Sequence, residues 1–497
     1  MKTPAIDKDF DPARMHPAPD RPFPAKPFRE AEIMWRRLSL MWCRLSLGEN
    51  PVAFANPSTK PSTMPVALVA WSALGIALNV GLARFAYGIV LPSLRRDLDL
   101  NYLTSGSLNA VHLLGYLVGT LAAPSLARII GLRTLLVRAH VLVAAGALLC
   151  AITPHGISDG IPDGTLNGTL NGASGPLVLG VGRLATGIGA GGGIVAILVA
   201  ALGAVPARER PFVSAVVWSG IGAAVIVCAF AAPLLLQSAS GWRVSFAASA
   251  ILALAISIFF PATGFAANQP QASASLDRPA AAATHFDAAQ LLTPRWWFLV
   301  ATYLLFGVGY IAYATFAGAQ FAAAHIQPSI VGLTWAAFGV AVIVGAALAV
   351  PVLGATRIKR FALFGAMACG SLGSFVLGAF APEDSAGATL GGAILVGLGV
   401  AATPTIVSAY ARERCSAEDY AKAFSYATAA LGIGQLVGPV AAGALADHFG
   451  MAAVPSFAAS AYSIGGLLAL CDAVAARSTT HNAASAILQS TTSHGKD

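Results

Sequence analysis

The feature that most constrains the fold is a series of twelve apolar segments that fills most of the chain after residue 64. Their predicted bounds are 65–94, 102–127, 134–153, 176–203, 211–238, 242–262, 296–323, 329–354, 361–381, 386–410, 422–446 and 452–472. Each segment is long enough to cross a bilayer as a helix, which needs about 20 apolar residues. Only 10% of the 497 residues are charged, whereas soluble domains carry about 25%. The sequence therefore predicts an all-α membrane protein with twelve transmembrane helices.

Basic residues are concentrated in the connections that follow the even-numbered segments. These connections carry Arg128, Arg133, Arg208, Arg210, Arg278, Arg295, Arg357, Lys359, Arg360, Arg412 and Arg414. The connections after the odd-numbered segments carry only Arg95, Arg96 and Arg243. Because basic loops stay in the cytoplasm, we expect both termini to be cytoplasmic in a multi-pass protein of the cytoplasmic (inner) membrane. Basic residues spread in this way also argue against a nucleic-acid partner.

The chain divides into two halves of six segments each. The longest connection, 263–295, is rich in Ala, Pro, Gln and Ser and reads as a cytoplasmic linker between an N-terminal half, 64–262, and a C-terminal half, 296–476. The tetrapeptide Ala-Arg-Glu-Arg at 207–210 recurs at 411–414, each time after the fourth segment of a half. Two parallel six-helix repeats describe a transporter plan whose substrate site lies near the membrane midplane between the halves.

The two ends of the chain are polar. The polar, proline-rich composition of residues 1–63 predicts a disordered extension. Within it, a tandem heptad at 34–47 is compatible with an amphipathic helix at the membrane surface. The competing interpretation is a translated upstream segment with Met64 as the true start. Residues 477–497 predict a polar tail.

Two short motifs lie inside apolar segments: Arg183–Gly191 has the pattern R-x-x-x-G-x-G, and Gly438 is followed by Pro439. The first is similar to a motif of the major facilitator superfamily, and the second is similar to the Gly-Pro gating motif of the same superfamily. Gly81–Tyr87, Gly115-Tyr116 and Gly307–Tyr310 resemble the YbfB/YjiJ-type branch. The resemblance covers about residues 65 to 475 and implies a permease of two pseudo-symmetric six-helix halves that works by alternating access.

The resemblance also assigns packing and gating roles. Gly187 and Gly191 lie four and eight residues after Arg183 and leave a smooth face on which a neighbouring helix can approach closely. Gly438 and Pro439 are expected to permit helix bending. The superfamily's acidic residue is absent from the connection after the second segment, 124–133, so its role there does not carry over.

Arg84 in the first apolar segment and Arg183 in the fourth lie well inside a membrane-spanning stretch. An intramembrane charge is costly and marks a functional site by default. All 22 acidic residues fall in tails, connections or segment ends, so we expect a central site of positive charge that binds an organic anion through guanidinium groups. The alternative is that each arginine binds helix carbonyls and neighbouring polar groups and only stabilises the bundle.

Further candidates are uncharged polar residues and one histidine. Tyr87, Tyr310, Tyr313 and Gln320 are candidate hydrogen-bonding partners of the substrate, although intramembrane tyrosines commonly serve packing. His112 occupies a place where the branch would have Asn, and it is a candidate proton carrier because an unperturbed imidazole titrates near neutrality. The alternative for His112 is a helix–helix hydrogen bond.

These observations predict a secondary active transporter of a small organic anion, with an exporter of amphipathic or drug-like compounds as the alternative. We expect no enzymatic activity: the G-x-G-x-x-G at 187–192 lies within an apolar helix, with no preceding strand to form a dinucleotide site. The six cysteines are far apart and form no C-x-x-C pair, so no metal site or cofactor is expected. The expected partners are a small-molecule substrate and the lipid bilayer, and the expected state is a monomer.

Overall fold

The structure is a computed structural model that describes residues 66–154, 166–206, 209–237, 240–262, 288–354, 361–380, 386–415 and 419–493. All of them belong to one compact unit within residues 51–497. The predicted extension 1–63 and most of the predicted linker 263–295 lie outside the described residues. The part of the linker that is described begins with a 3₁₀ turn, Ala288–Leu292.

Twelve long helices, α1–α12, account for nearly all of the described residues. Their bounds are α1 Val66–Leu98, α2 Tyr102–Ile130, α3 Leu132–Ala151, α4 Leu166–Gly203, α5 Arg210–Gln237, α6 Gly241–Phe259, α7 Pro294–Ala323, α8 Pro328–Gly354, α9 Ala362–Phe380, α10 Ala386–Arg414, α11 Tyr420–Phe449 and α12 Ala453–Ser493. Each contains a stretch apolar and long enough to cross a membrane. The twelve predicted transmembrane helices are confirmed.

Two helices extend well beyond the predicted segments. Helix α4 begins at Leu166 instead of residue 176, and α12 continues to Ser493 through the predicted polar tail. In both cases the apolar part, Gly175–Gly203 or Ala453–Ala475, agrees with the prediction. Hydropathy locates only the membrane-spanning part of a helix, whereas helical hydrogen bonding can continue into polar sequence.

Helix α1 changes its winding around Arg84. Regular α-helix at Val66–Ile76 gives way to π-helix at Ala77–Ala86 and returns to α-helix at Tyr87–Leu98. A π-helical turn is rare and occurs frequently at functional sites. The widened winding places Arg84 within the bundle, where its side chain is buried.

The helices pack as two equivalent six-helix halves. In the N-terminal half α2 and α3 pack on α4, α3 packs on α6, and α1 packs on α5. Adding six to each number gives the contacts of the C-terminal half, where α8 and α9 pack on α10, α9 packs on α12, and α7 packs on α11. The halves meet through three pairs of helices, α1 with α7, α2 with α11, and α5 with α8. The predicted pseudo-symmetric fold is confirmed.

The two ends of the bundle are named here by their connections. The odd-loop end holds the connections after odd-numbered helices, and the even-loop end holds the connections after even-numbered helices and the start of α1. Toward the odd-loop end α1 and α7 touch through backbone, since a Cβ on Gly88 would lie 1.9 Å from the Ala314 carbonyl oxygen. Small residues allow such close approach between membrane helices.

Candidate functional site

Arg84 lies between the two halves with only 5% of its surface exposed. Its Nη1 donates a 3.2 Å hydrogen bond to the hydroxyl of Tyr310 in α7. Its guanidinium also stacks on the ring of Tyr116 in α2, 4.0 Å from the centroid. Arg84 thus contacts α2 of its own half and α7 of the other half.

The Tyr310 hydroxyl is shared with a third helix. Gln435 in α11 donates a 2.6 Å hydrogen bond from Nε2 to the same oxygen. The Tyr310 ring is held by stacking on Phe306, with 5.0 Å between the ring centroids. The predicted site residue Tyr310 therefore connects Arg84 with α11, a helix from which sequence reasoning proposed no substrate-binding residue.

Arg183 in α4 is 1% exposed and reaches the π-helix of α1. Its Nη1 donates to the carbonyl oxygen of Ala83 at 2.8 Å, beside Arg84, and its Nη2 donates to Asn109 Oδ1 at 2.5 Å. The guanidinium also lies over the ring of Tyr87, 4.4 Å from its centroid. The two arginines predicted as a pair therefore meet at the same stretch of α1.

Asn109 carries the contact of Arg183 into the C-terminal half. Its Nδ2 donates a 2.7 Å hydrogen bond to Thr315 Oγ1 in α7, and both residues are fully buried. A chain of hydrogen bonds thus runs from Arg183 through Asn109 to Thr315.

Several donors of the two arginines have no hydrogen-bond partner among the described residues. They are Nε and Nη2 of Arg84 and Nε of Arg183. The described carboxylates all lie at or near the ends of the apolar stretches or in connections; they are Asp97, Asp99, Glu209, Glu413, Asp419, Asp447 and Asp472. In the described part of the chain, two buried positive charges are therefore held only by neutral groups, an arrangement that favours binding of an anion.

His112 in α2 is fully buried beside Arg183. Its Nδ1 lies 3.2 Å from the carbonyl oxygen of Arg183 and 3.2 Å from Thr186 Oγ1, whose hydroxyl itself donates to the same carbonyl. Because the carbonyl oxygen can only accept and the Thr186 hydroxyl donates its own proton to that carbonyl, the ring proton is assigned to Nδ1. The other nitrogen, Nε2, is then an acceptor, and it has no partner among the described residues.

The remaining predicted substrate contacts fall in different surroundings. The Tyr87 hydroxyl donates to the carbonyl oxygen of Ser105 at 2.8 Å. Gln320 donates to the carbonyl oxygen of Leu377 in α9 at 3.0 Å, within the C-terminal half. The Tyr313 hydroxyl is buried without a partner in the described chain. Of these three residues, Tyr87 lies beside Arg183, Tyr313 has a free hydroxyl, and Gln320 is engaged with a backbone carbonyl.

The glycines predicted for packing lie at close contacts between helices. A Cβ on Gly187 would lie 2.1 Å from the carbonyl oxygen of His112, and one on Gly191 would lie 2.2 Å from that of Tyr116. The α4 face that carries Arg183 therefore packs directly on α2. A Cβ on Gly438 would lie 2.7 Å from the carbonyl oxygen of Val308 in α7, where α11 carries Pro439 inside the helix.

A small cavity lies beside Arg183 within the N-terminal half. Its volume is about 10 Å³, which is room for about one water molecule. Its polar lining comes from Arg183, Tyr87, Thr186, Ser245 and Ser249.

Sequence reasoning missed Asn109, Tyr116, Thr315 and Gln435. A signal was available, because each is a polar or aromatic residue inside an apolar segment. On α2, Asn109, His112 and Tyr116 recur at spacings of three and four, which places them on one helix face. Their partners on α7 and α11 required the three-dimensional arrangement.

Comparisons with known proteins place this geometry in a family. A family model described as "Uncharacterised MFS-type transporter YbfB" matches residues 76–161 and 164–471. A search of curated protein sequences gives no match.

Solved structures of transporters share the fold at low sequence identity. A D-xylose–proton symporter matches with a TM-score of 0.62 and 19% identity, over 82% of this chain and 97% of its own. A bacterial homologue of the human lysosomal transporter Spinster gives 0.60 and 14%, over 83% and 99%. The nucleoside transporter NupG gives 0.59 and 12%, over 82% and 99%. With its family match, its twelve apolar helices and its paired halves, the chain belongs to the YbfB-type branch of the major facilitator superfamily of membrane transporters.

Proposed function

We propose that this transporter moves a small organic anion by alternating access, with Arg84 and Arg183 as the residues that bind the anion. The observation that carries the proposal is a set of guanidinium N–H groups that have no partner among the described residues, on buried Arg84 at the junction of the halves and on buried Arg183 beside it. Leaving buried charged donors unsatisfied costs free energy. An anionic cargo would supply the missing acceptors.

The free edge of Arg84 favours a carboxylate. Nε and the Nη2 amino group lie on one side of the planar guanidinium, and neither has a partner in the part of the chain that the structure describes, while Nη1 donates to Tyr310. This edge presents two nearly parallel N–H groups that match the two oxygens of a carboxylate. Arg183 is already bound to Ala83 and Asn109, so it adds positive charge and one free donor.

We also propose that His112 couples anion binding to proton uptake. A proton on Nε2 would place a third positive charge close to Arg183, whose carbonyl oxygen binds Nδ1. A bound anion would offset that repulsion, so the anion and the proton would enter together. The proton gradient would then drive accumulation of the cargo.

The distribution of basic residues supports an orientation with the even-loop end in the cytoplasm and the protein in the cytoplasmic membrane. The backbone contacts between α1 and α7 would then close the periplasmic side in this conformation.

Transport by purified protein in liposomes tests the proposal directly. Vesicles loaded with one anion are assayed for counterflow of a labelled anion, with small carboxylates and inorganic phosphate as cargo and a neutral sugar, a nucleoside and an organic cation as comparisons. We expect saturable flux of at least one carboxylate in the wild type, loss of that flux in Arg84→Ala, and retention of it in Arg96→Ala, an exposed arginine near the odd-loop end. Flux of the cation or the neutral compounds without flux of any anion would contradict the proposal.

A further inference from the structure

We propose that Asp447 is a latch that holds the odd-loop end closed, and that the transport cycle releases it each time this end opens. Asp447 lies near the end of α11 in the C-terminal half, whereas its partners begin α2 in the N-terminal half. The proposal rests on the alternating-access part of the proposed function and is independent of which substrate is carried.

The latch consists of two hydrogen bonds between the halves. Oδ1 of Asp447 accepts from the backbone N–H of Tyr102 at 2.9 Å, and Oδ2 accepts from that of Leu103 at 2.8 Å. These are the first two residues of α2, and the N–H groups of a first helical turn have no partner within their own helix. A carboxylate at this position also interacts favourably with the positive end of the helix dipole. One side chain of α11 thus satisfies two backbone donors of α2.

The backbones around the latch are already in contact. A Cβ on Gly443, one turn before Asp447, would lie 2.4 Å from the Tyr102 carbonyl oxygen. A Cβ on Gly106, one turn into α2, would lie 2.1 Å from the Pro439 carbonyl oxygen. Opening a path at this end must separate α2 from α11, and the latch opposes that separation.

Helices α2 and α11 end in similar turns, but one position in the turn is positively charged in α2 and negatively charged in α11. The sequence Leu-Ala-Arg-Ile-Ile-Gly at 126–131 ends α2, and Leu-Ala-Asp-His-Phe-Gly at 445–450 ends α11. Both end in a glycine of positive φ, +80° at Gly131 and +82° at Gly450, whose N–H donates to the alanine carbonyl four residues earlier at 3.0 Å. The place of Asp447 is taken in α2 by Arg128, and a cation cannot accept hydrogen bonds from a helix N-terminus. The carboxylate latch therefore exists at the odd-loop end and has no copy on α2.

Distances between spin labels at the odd-loop end test the latch without any transport assay. The native cysteines are replaced by alanine, and labels are attached at Ile152→Cys in the N-terminal half and Ser329→Cys in the C-terminal half, both exposed in this structure. We expect one dominant short distance in the otherwise unchanged protein. Asp447→Ala should raise the ratio of long to short distances about fivefold, which is the change in an equilibrium constant expected when a typical helix N-cap is removed. Asp447→Asn, which keeps one acceptor oxygen, should give an intermediate ratio.

Two further variants make the result decisive. Asp472→Ala removes a carboxylate that pairs with Arg414 inside the C-terminal half, and it should leave the distances unchanged. Gly443→Ala places a methyl group against the Tyr102 carbonyl and should lengthen the distance, which shows that the label pair reports opening. An unchanged distribution in Asp447→Ala, or an equal shift in Asp472→Ala, would overturn the latch. A protein that fails to transport anions but shows the expected shifts would contradict the proposed substrate and leave the latch standing.

Discussion

Arg183 binds the side-chain oxygen of Asn109 at 2.5 Å, a neutral partner in a place where a carboxylate would neutralise the buried charge. The other end of the Asn109 amide donates to Thr315 across the junction of the halves. The free positive charge of the site therefore depends on position 109 carrying an amide.

Replacing Asn109 by Asp should weaken anion binding while the protein stays folded. The new carboxylate would pair with Arg183 at hydrogen-bonding distance and take over the role proposed for the cargo. We expect carboxylate counterflow to fall at least about tenfold, because buried hydrogen bonds to charged groups contribute about 1.5–3 kcal/mol.

The matched control for that substitution is Asn101→Asp at the start of α2. Asn101 caps the helix by accepting from the Thr104 N–H at 2.8 Å, and an aspartate performs the same role. Counterflow should be retained in this variant. Full activity of Asn109→Asp would show that the charge of Arg183 is not used by the cargo.

Much of the fold could be predicted from the sequence because the bilayer imposes a simple length rule on apolar segments. Ala453–Ala475, for example, agrees with the predicted segment 452–472 to within three residues. The π-helix at Ala77–Ala86 could not be predicted, since its winding depends on contacts with neighbouring helices. The extension of α12 to Ser493 is helix outside the apolar stretch, where hydropathy gives no signal.

Charge was the strongest sequence signal for the residues of the site. A charge in an apolar segment identified Arg84 and Arg183, and Arg183 binds the carbonyl oxygen of Ala83, the residue before Arg84. Neutral polar residues carry a weaker signal. Gln320, which the sequence suggested, binds a backbone carbonyl, whereas Gln435, which it did not suggest, shares Tyr310 with Arg84. The two glutamines can be distinguished only when it is known which face of each helix packs against the other half.

Replacing Arg84 by Lys should weaken transport although the charge is retained. A lysine ammonium lacks the planar edge formed by Nε and Nη2 and cannot present two parallel N–H groups to a carboxylate. We expect kcat/KM for carboxylate counterflow to fall about 10- to 100-fold, the equivalent of one strong charge-assisted interaction. Arg96→Lys provides the matched control on an exposed position, and equal kinetics of the two variants would argue against a bidentate contact.

Replacing Gly187 by Ala should destabilise the N-terminal half. The added Cβ would lie 2.1 Å from the His112 carbonyl oxygen, so α2 and α4 must move apart. Overpacking of this kind costs about 1–3 kcal/mol. Thermal unfolding of the purified protein in detergent measures the change. Gly365→Ala is the control, because its Cβ meets nothing within 4 Å, and the prediction fails if both variants unfold at the wild-type temperature.

Replacing His112 by Asn should separate exchange of the cargo from proton-driven accumulation. Asparagine is a polar residue of smaller size that can still donate to the Arg183 carbonyl, but it cannot take up a proton. Counterflow needs no net proton movement, so we expect carboxylate exchange to persist at a rate within a few-fold of the wild type. Accumulation driven by an inward proton gradient should be lost.

Two measurements on the same liposomes check the role of His112. The first is counterflow without a pH gradient, and the second is uptake after the external buffer is made more acidic than the lumen. His325→Asn, an exposed position at the odd-loop end, should behave as the wild type in both. Proton-driven accumulation that survives in His112→Asn would assign the coupling to another group. Loss of both activities would instead indicate that His112 holds Arg183 in place through the 3.2 Å contact with its backbone carbonyl.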